Sequence, residues 1–258
     1  MFKVKKLFFI FLFIYSIAFS QDRKEAFHSG EFLKYKVSYG LLNAGFASLQ
    51  LEETYKNNQE LYHIKGRGWS TGVVDVFFSV EDDYQSYFDK KTLKPVRFIR
   101  KIREGGYTKD KEIFFDFDNL KAKVVDHKNR RENIFPLDPN AFDMLSAFYH
   151  FRNLDFTDLK IGEIIKINLF YDDRMNLIEL QYVGKEIIRT KFGKIRTLVF
   201  KPLVEEGRVF SDQEGVLVWF TDDAAKIPVK IKAAILVGSV KFELQEVKNI
   251  SYRLPLVF

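Results

Sequence analysis

The sequence contains no cysteine and has only six prolines and 14 glycines among its 258 residues. Without cysteine the chain forms no disulfide bonds, so its hydrophobic core must provide its stability. The low proline and glycine contents exclude collagen-like and low-complexity chains. Because 47% of the residues are hydrophobic and 29% are charged, the composition is that of a globular protein.

Long apolar runs are also missing, apart from one near the first residue. Three lysines within residues 3–6 precede an apolar run over residues 7–19, and Ala18 and Ser20 are small residues at the positions that a signal peptidase recognises. The run has about 13 residues, whereas a helix that spans a bilayer needs about 20. Residues 1–20 are therefore predicted to be a cleaved secretory signal peptide.

Cleavage is predicted between Ser20 and Gln21, which leaves residues 21–258 as the exported chain. Position 21 is not a cysteine, so the chain lacks the lipid-carrying residue of a bacterial lipoprotein. We expect a periplasmic protein, either free or associated with the outer membrane. No Pro-, Gly- or Ser-rich linker divides residues 21–258, which predicts a single domain.

The excess of basic residues is small once the leader is set aside. The sequence has 41 basic and 35 acidic residues, and three of the basic residues lie in the predicted signal peptide. The remaining 38 basic residues give the exported chain a net charge of +3. They alternate with apolar residues and form no basic block, so a nucleic-acid partner is not expected.

Alternating apolar and polar residues dominate the exported chain. Leu33, Tyr35 and Val37 alternate with polar residues, and Ile113, Phe115 and Phe117 repeat the pattern. Antiparallel strands with one polar face have this period of two. About a dozen such segments predict an all-β fold, either an antiparallel barrel-like structure or a strongly curved sheet. The first hairpin turn is predicted at residues 42–45.

One segment follows the helical period instead. Asp138 and Pro139 are typical of an N-cap and a first helical turn, and apolar residues then recur at helical spacing. This predicts an amphipathic helix near residues 139–153 that plugs one end of the sheet or covers an open edge. Residues 71–78 fit a short helix and a strand about equally well.

The sequence predicts no catalytic, cofactor-binding or metal-binding residues. The four histidines are far apart and form no recognised ligand motif. Ser70 has a glycine two residues away on each side, as in a nucleophile elbow, but that elbow requires a parallel α/β sheet. Adjacent acids, such as Asp172 and Asp173, would point to opposite faces of a strand. We interpret them as turn and edge residues.

With these residues in view, the chain resembles an exported bacterial family, domain of unknown function 3108. The similarity is carried by segments that keep their order along the chain, namely residues 30–35, 80–89, 103–107, 143–152 and 218–229. The resemblance implies an all-β, barrel-like exported domain and supplies no catalytic residues. The leader and the residue usage are similar to those of Bacteroidota.

Three functions are compatible with these features. The first is a non-enzymatic periplasmic protein that docks on or supports an outer-membrane or secretion assembly, with an outer-membrane or secretion-system protein as its partner. The second is a carrier of a lipid or another apolar ligand. The third is a hydrolase of envelope glycans, which would need at least two converging acids or histidines. A small outer-membrane barrel is disfavoured because Pro255 interrupts the last alternating segment.

Overall fold

The computed structural model describes residues 25–56, 58–203, 215–234 and 238–258. The predicted signal peptide and its cleavage site at Ser20 and Gln21 lie outside the described residues. Elements are numbered in chain order.

The described residues form 15 strands and two helices. The strands are β1 (Phe32–Tyr39), β2 (Leu42–Lys56), β3 (Gln59–Ser70), β4 (Glu81–Asp89), β5 (Pro95–Glu104), β6 (Tyr107–Asp116), β7 (Lys121–Asp126), β8 (Arg131–Pro136), β9 (Ile164–Tyr171), β10 (Arg174–Thr190), β11 (Gly193–Leu203), β12 (Val216–Thr221), β13 (Pro228–Ala234), β14 (Ser239–Lys248) and β15 (Leu256–Val257). The helices are α1 (Gly72–Phe77) and α2 (Met144–Arg152).

All strands belong to one antiparallel sheet that does not close. Strands β1 to β8 are neighbours in chain order, and so are β9 to β14. The two meanders join where β1 pairs with β14, while β15 pairs with β11. The prediction of an all-β antiparallel fold is confirmed, with 15 strands in place of about a dozen.

The core lies on the inner face of the curved sheet and consists of three clusters. The first contains side chains of β2–β7 with Leu145 and Tyr149 of α2. The second surrounds the β1–β14 junction and includes Leu33 and Leu244. The third joins Phe151 of α2 to strands β9–β12. The helix therefore packs against both meanders.

The predicted turn at residues 42–45 is wrong. β2 begins at Leu42, which pairs with Tyr39, so that Gly40 and Leu41 form the turn. Gly40 has a φ of 57°, a left-handed conformation that glycine adopts without the penalty of a Cβ atom. The local composition predicted a turn in the correct region, but the left-handed conformation of Gly40 places the turn at residues 40–41 and so sets which residues of β1 and β2 pair.

The predicted start of α2 at residue 139 is also wrong, although its end is close to the predicted one. The Asp138 side chain accepts a hydrogen bond from the Asn140 backbone N–H in a turn, and the helix begins at Met144. Its N-cap is Asp143, which forms a capping box with Ser146. Asp143 and Ser146 satisfy backbone N–H groups at the start of the helix, whereas Asp138 and Pro139 lie too far upstream to do so.

We expect the Asp143 carboxyl to make stability depend on pH between about 4 and 6. It is buried and accepts hydrogen bonds from the backbone N–H groups of Leu145 and Ser146 and from the Ser86 hydroxyl. Burial outweighs these bonds and raises the pKa of Asp143 from 3.8 to about 6. The folded chain then binds the proton more tightly than the unfolded chain, so stability falls as pH rises through this window.

Asp143→Asn retains the acceptor and removes this titration. Urea unfolding should show the variant gaining up to about 3 kcal/mol relative to the natural chain between pH 4 and pH 6, and nothing further above pH 6. Asp138→Asn, in the turn that precedes α2, is the matched control for the removal of one carboxylate at this end of the helix. A difference between Asp143→Asn and the natural chain that stays constant from pH 4 to pH 7 would contradict this assignment.

Candidate functional site

One end of the sheet carries a cluster of apolar side chains that no other described residue covers. It consists of residues from the β1–β2 turn and from α1 with its C-cap, and we call it the apolar tip: Leu41, Leu42, Val73, Val76, Phe77 and Phe78. Leu41 is 105% exposed, Phe77 is 84% exposed and Val76 is 80% exposed. None of the residues of α1 is buried. A helix of a soluble domain normally turns its apolar side to the core, so this arrangement is unusual.

Backbone and side-chain hydrogen bonds hold α1 in this exposed position. The Ser70 hydroxyl donates to the Asp75 carboxylate and accepts a bond from the Val80 N–H, 2.7 Å away. The Thr71 N–H donates to the carbonyl of Ala44, which ties α1 to the start of β2. Ser70 thus connects both ends of the α1 segment. The sequence-based interpretation of Ser70 as a strand end is confirmed, because β3 ends there.

The β5–β6 turn packs against Phe78 of the tip. Gly105 and Gly106 have φ angles of 51° and 93°, and a Cβ atom on Gly105 would overlap the ring of Phe78. The Gly105 N–H also donates to the carbonyl of Ser79. The tip is therefore a fixed part of this sheet end, where Glu104 pairs with Tyr107 across a tight turn.

Two acids meet beneath the tip. Burial, together with the adjacent Glu104 carboxylate, raises the pKa of Asp82 from 3.8 to about 6. The glycosidase mechanism requires carboxyls about 5–9.5 Å apart, so that a sugar bond and a nucleophile or water fit between them. Asp82 and Glu104 instead interact directly. This convergence of acids does not match the geometry that a two-carboxylate glycan hydrolase needs.

At the same end of the sheet, a cluster of charged side chains joins the two meanders across the inner face. We call it the charged clasp, and its members are Arg100, Lys109, Lys111, Asp172 and Asp173. Asp172 accepts hydrogen bonds from Arg100 Nη1 and Lys109 Nζ, each at 2.7 Å, and Asp173 accepts one from Lys111 Nζ at 2.7 Å. Both aspartates have positive φ angles in the β9–β10 turn. The predicted turn role of this acidic pair is confirmed, and its basic partners were not predicted.

A second charged group lies in the interior, at the C-terminal end of α2. Arg152 forms a bidentate pair with Glu31, with Nη1–Oε1 and Nη2–Oε2 distances of 2.6 and 2.8 Å, and both side chains are 0% exposed. Arg152 also donates to the carbonyls of Ala26 and Ala225, while the Tyr149 hydroxyl donates to Glu31. Burial disfavours the Arg152 charge, but Glu31 overcomes this effect and the pKa of Arg152 is raised. This network has a structural role, because it connects α2 to both meanders.

Three of the four histidines contact aromatic or acidic side chains individually. His63 stacks on Tyr87, His127 contacts Glu112 at 3.1 Å, and His150 stacks on Phe142. Burial lowers the pKa of His150. Within the described ranges, no three histidines or acids are grouped closely enough to hold a metal ion.

Two clefts on the described part of the chain are lined mainly by polar and charged side chains. One of about 760 Å³ is bordered by Glu52, Arg67 and Asp83, and another of about 730 Å³ by Glu60 and Asp155. The three core clusters occupy the inner face of the sheet. Neither helix in the described ranges has the length and hydropathy needed to cross a bilayer.

Comparison with known proteins identifies the family. The model of a protein family of unknown function, DUF3108, matches residues 34–245, and the chain belongs to this family. The resemblance found from residue segments is thus confirmed. The fold is similar to the crystal structure of a β-barrel-like protein of domain of unknown function DUF1849 from Brucella abortus. That similarity has a TM-score of 0.55 and 12% identity, and it covers 86% of this chain and 98% of that chain. No curated protein matches the sequence.

Proposed function

We propose that this DUF3108 protein is a non-enzymatic periplasmic protein that docks on an outer-membrane or secretion assembly through its apolar tip. The observation that carries this proposal is the exposure of six apolar side chains at one end of the sheet. Contiguous exposed apolar groups on a soluble domain typically mark an interaction surface. Their burial in a partner would provide the main favourable free energy of docking.

The way in which the tip is held supports a functional interpretation. Ser70, Asp75 and Val80 fix α1 with its apolar residues outward, and Phe78 is seated over Gly105. A segment without a role could turn these residues inward or replace them with polar ones at little cost, because exposed positions contribute little to folding. A rigid apolar projection, by contrast, is prepared to bind with little loss of conformational entropy.

The other two functions have less support in the geometry. A lipid carrier requires an apolar cavity, whereas the clefts described above are bordered by charged groups and the inner face is occupied by packed side chains. A two-carboxylate glycan hydrolase requires a separated pair of carboxyls, whereas Asp82 and Glu104 are in direct contact. Docking therefore accounts best for the features of the described residues.

Fractionation of the bacterial envelope tests the proposal. The full-length chain, exported with its own leader, should sediment with the outer membrane, and Leu41→Ser/Phe77→Ser should shift it to the soluble periplasmic fraction by roughly ten-fold or more. Ile134→Ser/Ile187→Ser is the matched control, because these isoleucines are 66% and 55% exposed but lie away from the tip. Recovery of all three proteins in the soluble fraction would refute docking through this surface.

A further inference from the structure

We infer that the apolar tip inserts into the surface of a lipid bilayer, so that the docking proposed above begins with lipid. The inference rests on that proposed function and names what covers the tip. It follows from the shape of the tip, its size, and the order of residue types behind it.

The shape of the tip favours a fluid partner. Its most exposed members are Leu41 in the β1–β2 turn and Val76 and Phe77 on α1, and these side chains project from two separate segments. An exposure near 100% means that neighbouring residues shield almost none of the side chain. A protein partner would need a separate matching pocket for each projection, since protein interfaces are packed as densely as protein interiors. Acyl chains adapt to any projection.

The size of the tip leads to the same conclusion. Six apolar side chains of the described residues form it, whereas a standard protein–protein interface uses about 20–30 residues on each side. Interface centres also combine aromatic anchors with arginine and hydrogen-bonding groups. All six members of the tip are apolar, and Asp75, the acid on α1, is bonded to Ser70.

The residues behind the tip follow the depth profile of a membrane interface. Tyr39 lies at the end of β1, next to the β1–β2 turn, and Tyr107 lies at the start of β6, next to the β5–β6 turn; both are partly exposed. Tyrosine is enriched where acyl chains meet headgroups. One step further back, Lys241 of β14 is the register partner of Ser38 and of Lys232. Cations at that depth complement anionic headgroups.

Vesicle flotation provides the first test. The exported, purified full-length chain should float with neutral phosphatidylcholine vesicles and a few-fold more with vesicles that contain phosphatidylglycerol. Leu41→Ser/Phe77→Ser should reduce flotation about ten-fold or more, and Ile134→Ser/Ile187→Ser should leave it unchanged. Binding that requires phosphatidylglycerol and disappears in high salt would overturn insertion, because it would be purely electrostatic.

The absence of cysteine allows a direct readout of insertion. Leu41→Cys and Ile187→Cys each accept a single environment-sensitive fluorophore. With vesicles, the emission of the label at position 41 should shift to the blue, while the label at position 187 should not change. If neither label shifts and the tip variant binds vesicles as the control does, the lipid inference is wrong. Tip-dependent membrane fractionation in cells would then still support docking and would indicate a protein partner.

Discussion

Arg152→Met is expected to lower the free energy of unfolding by about 3–5 kcal/mol. The substitution leaves the Glu31 carboxylate buried without its bidentate partner. It also leaves the carbonyls of Ala26 and Ala225 without the donors that Arg152 supplies. Domain stabilities are typically about 5–15 kcal/mol, so this single change removes a large share of the total. Urea unfolding monitored by tryptophan fluorescence measures the loss.

Two further variants separate the charge pair from its surroundings. Glu31→Gln leaves the guanidinium without a counter-charge, and a comparable loss is expected. The double variant should lose less than the sum of the two single losses, because it leaves no unpaired buried charge. Arg152→Lys keeps the charge but not the planar fork, so it should fall between the natural chain and Arg152→Met.

The exposed pair between Arg103 and Glu81 is the matched control. These side chains lie 3.1 Å apart and are about three-quarters exposed, and such pairs are typically worth about 0.2–1 kcal/mol. Arg103→Met should therefore leave the urea midpoint almost unchanged. Equal effects of Arg103→Met and Arg152→Met would mean that the buried network does not stabilise the fold.

The antiparallel fold could be predicted because its signal is local. In β1, for example, the buried residues Leu33 and Tyr35 alternate with the half-buried Lys34 and Lys36. The short helix α1 was one of two structures compatible with residues 71–78, and the structure confirms the helix. The strands could be predicted because the residues that set their period are neighbours in sequence, whereas the same kind of signal left α1 undecided.

Contacts between distant residues could not be predicted. Glu31 and Arg152 are 121 positions apart, and no periodicity relates them. They do lie in two of the segments that carry the family resemblance, residues 30–35 and 143–152, and this was the available signal. The charged clasp has the same character, since it joins β5–β6 to the β9–β10 turn.

From the sequence alone, residues 71–78, which supply most of the tip, could be assigned either a helix or a strand. Periodicity could not show that it is uncovered, because α1 has six residues and Asp75 is its one charged residue. A longer helix would have displayed a polar face opposite its apolar side and so indicated its orientation. Exposure depended instead on where Ser70 and Gly105 anchor the ends of this segment.

The aromatic residues show most clearly that similar side chains have different roles. Phe200 belongs to the core. It is 0% exposed and lies among the rings of Phe151, Phe156, Tyr182 and Phe220, at centroid distances of 5.0–5.8 Å. Since Phe151 belongs to α2, this cluster holds the helix against the second meander.

Phe200→Ala is accordingly expected to cost about 3–5 kcal/mol of unfolding free energy, because it removes buried surface and leaves a cavity among rings that cannot fully collapse. Phe77→Ala, in the apolar tip, should change the same quantity by less than about 0.5 kcal/mol while weakening membrane association. Urea unfolding and flotation of both variants measure the two effects separately. A large loss of stability in Phe77→Ala would show that the tip supports the fold, and would remove the argument that its exposure serves docking.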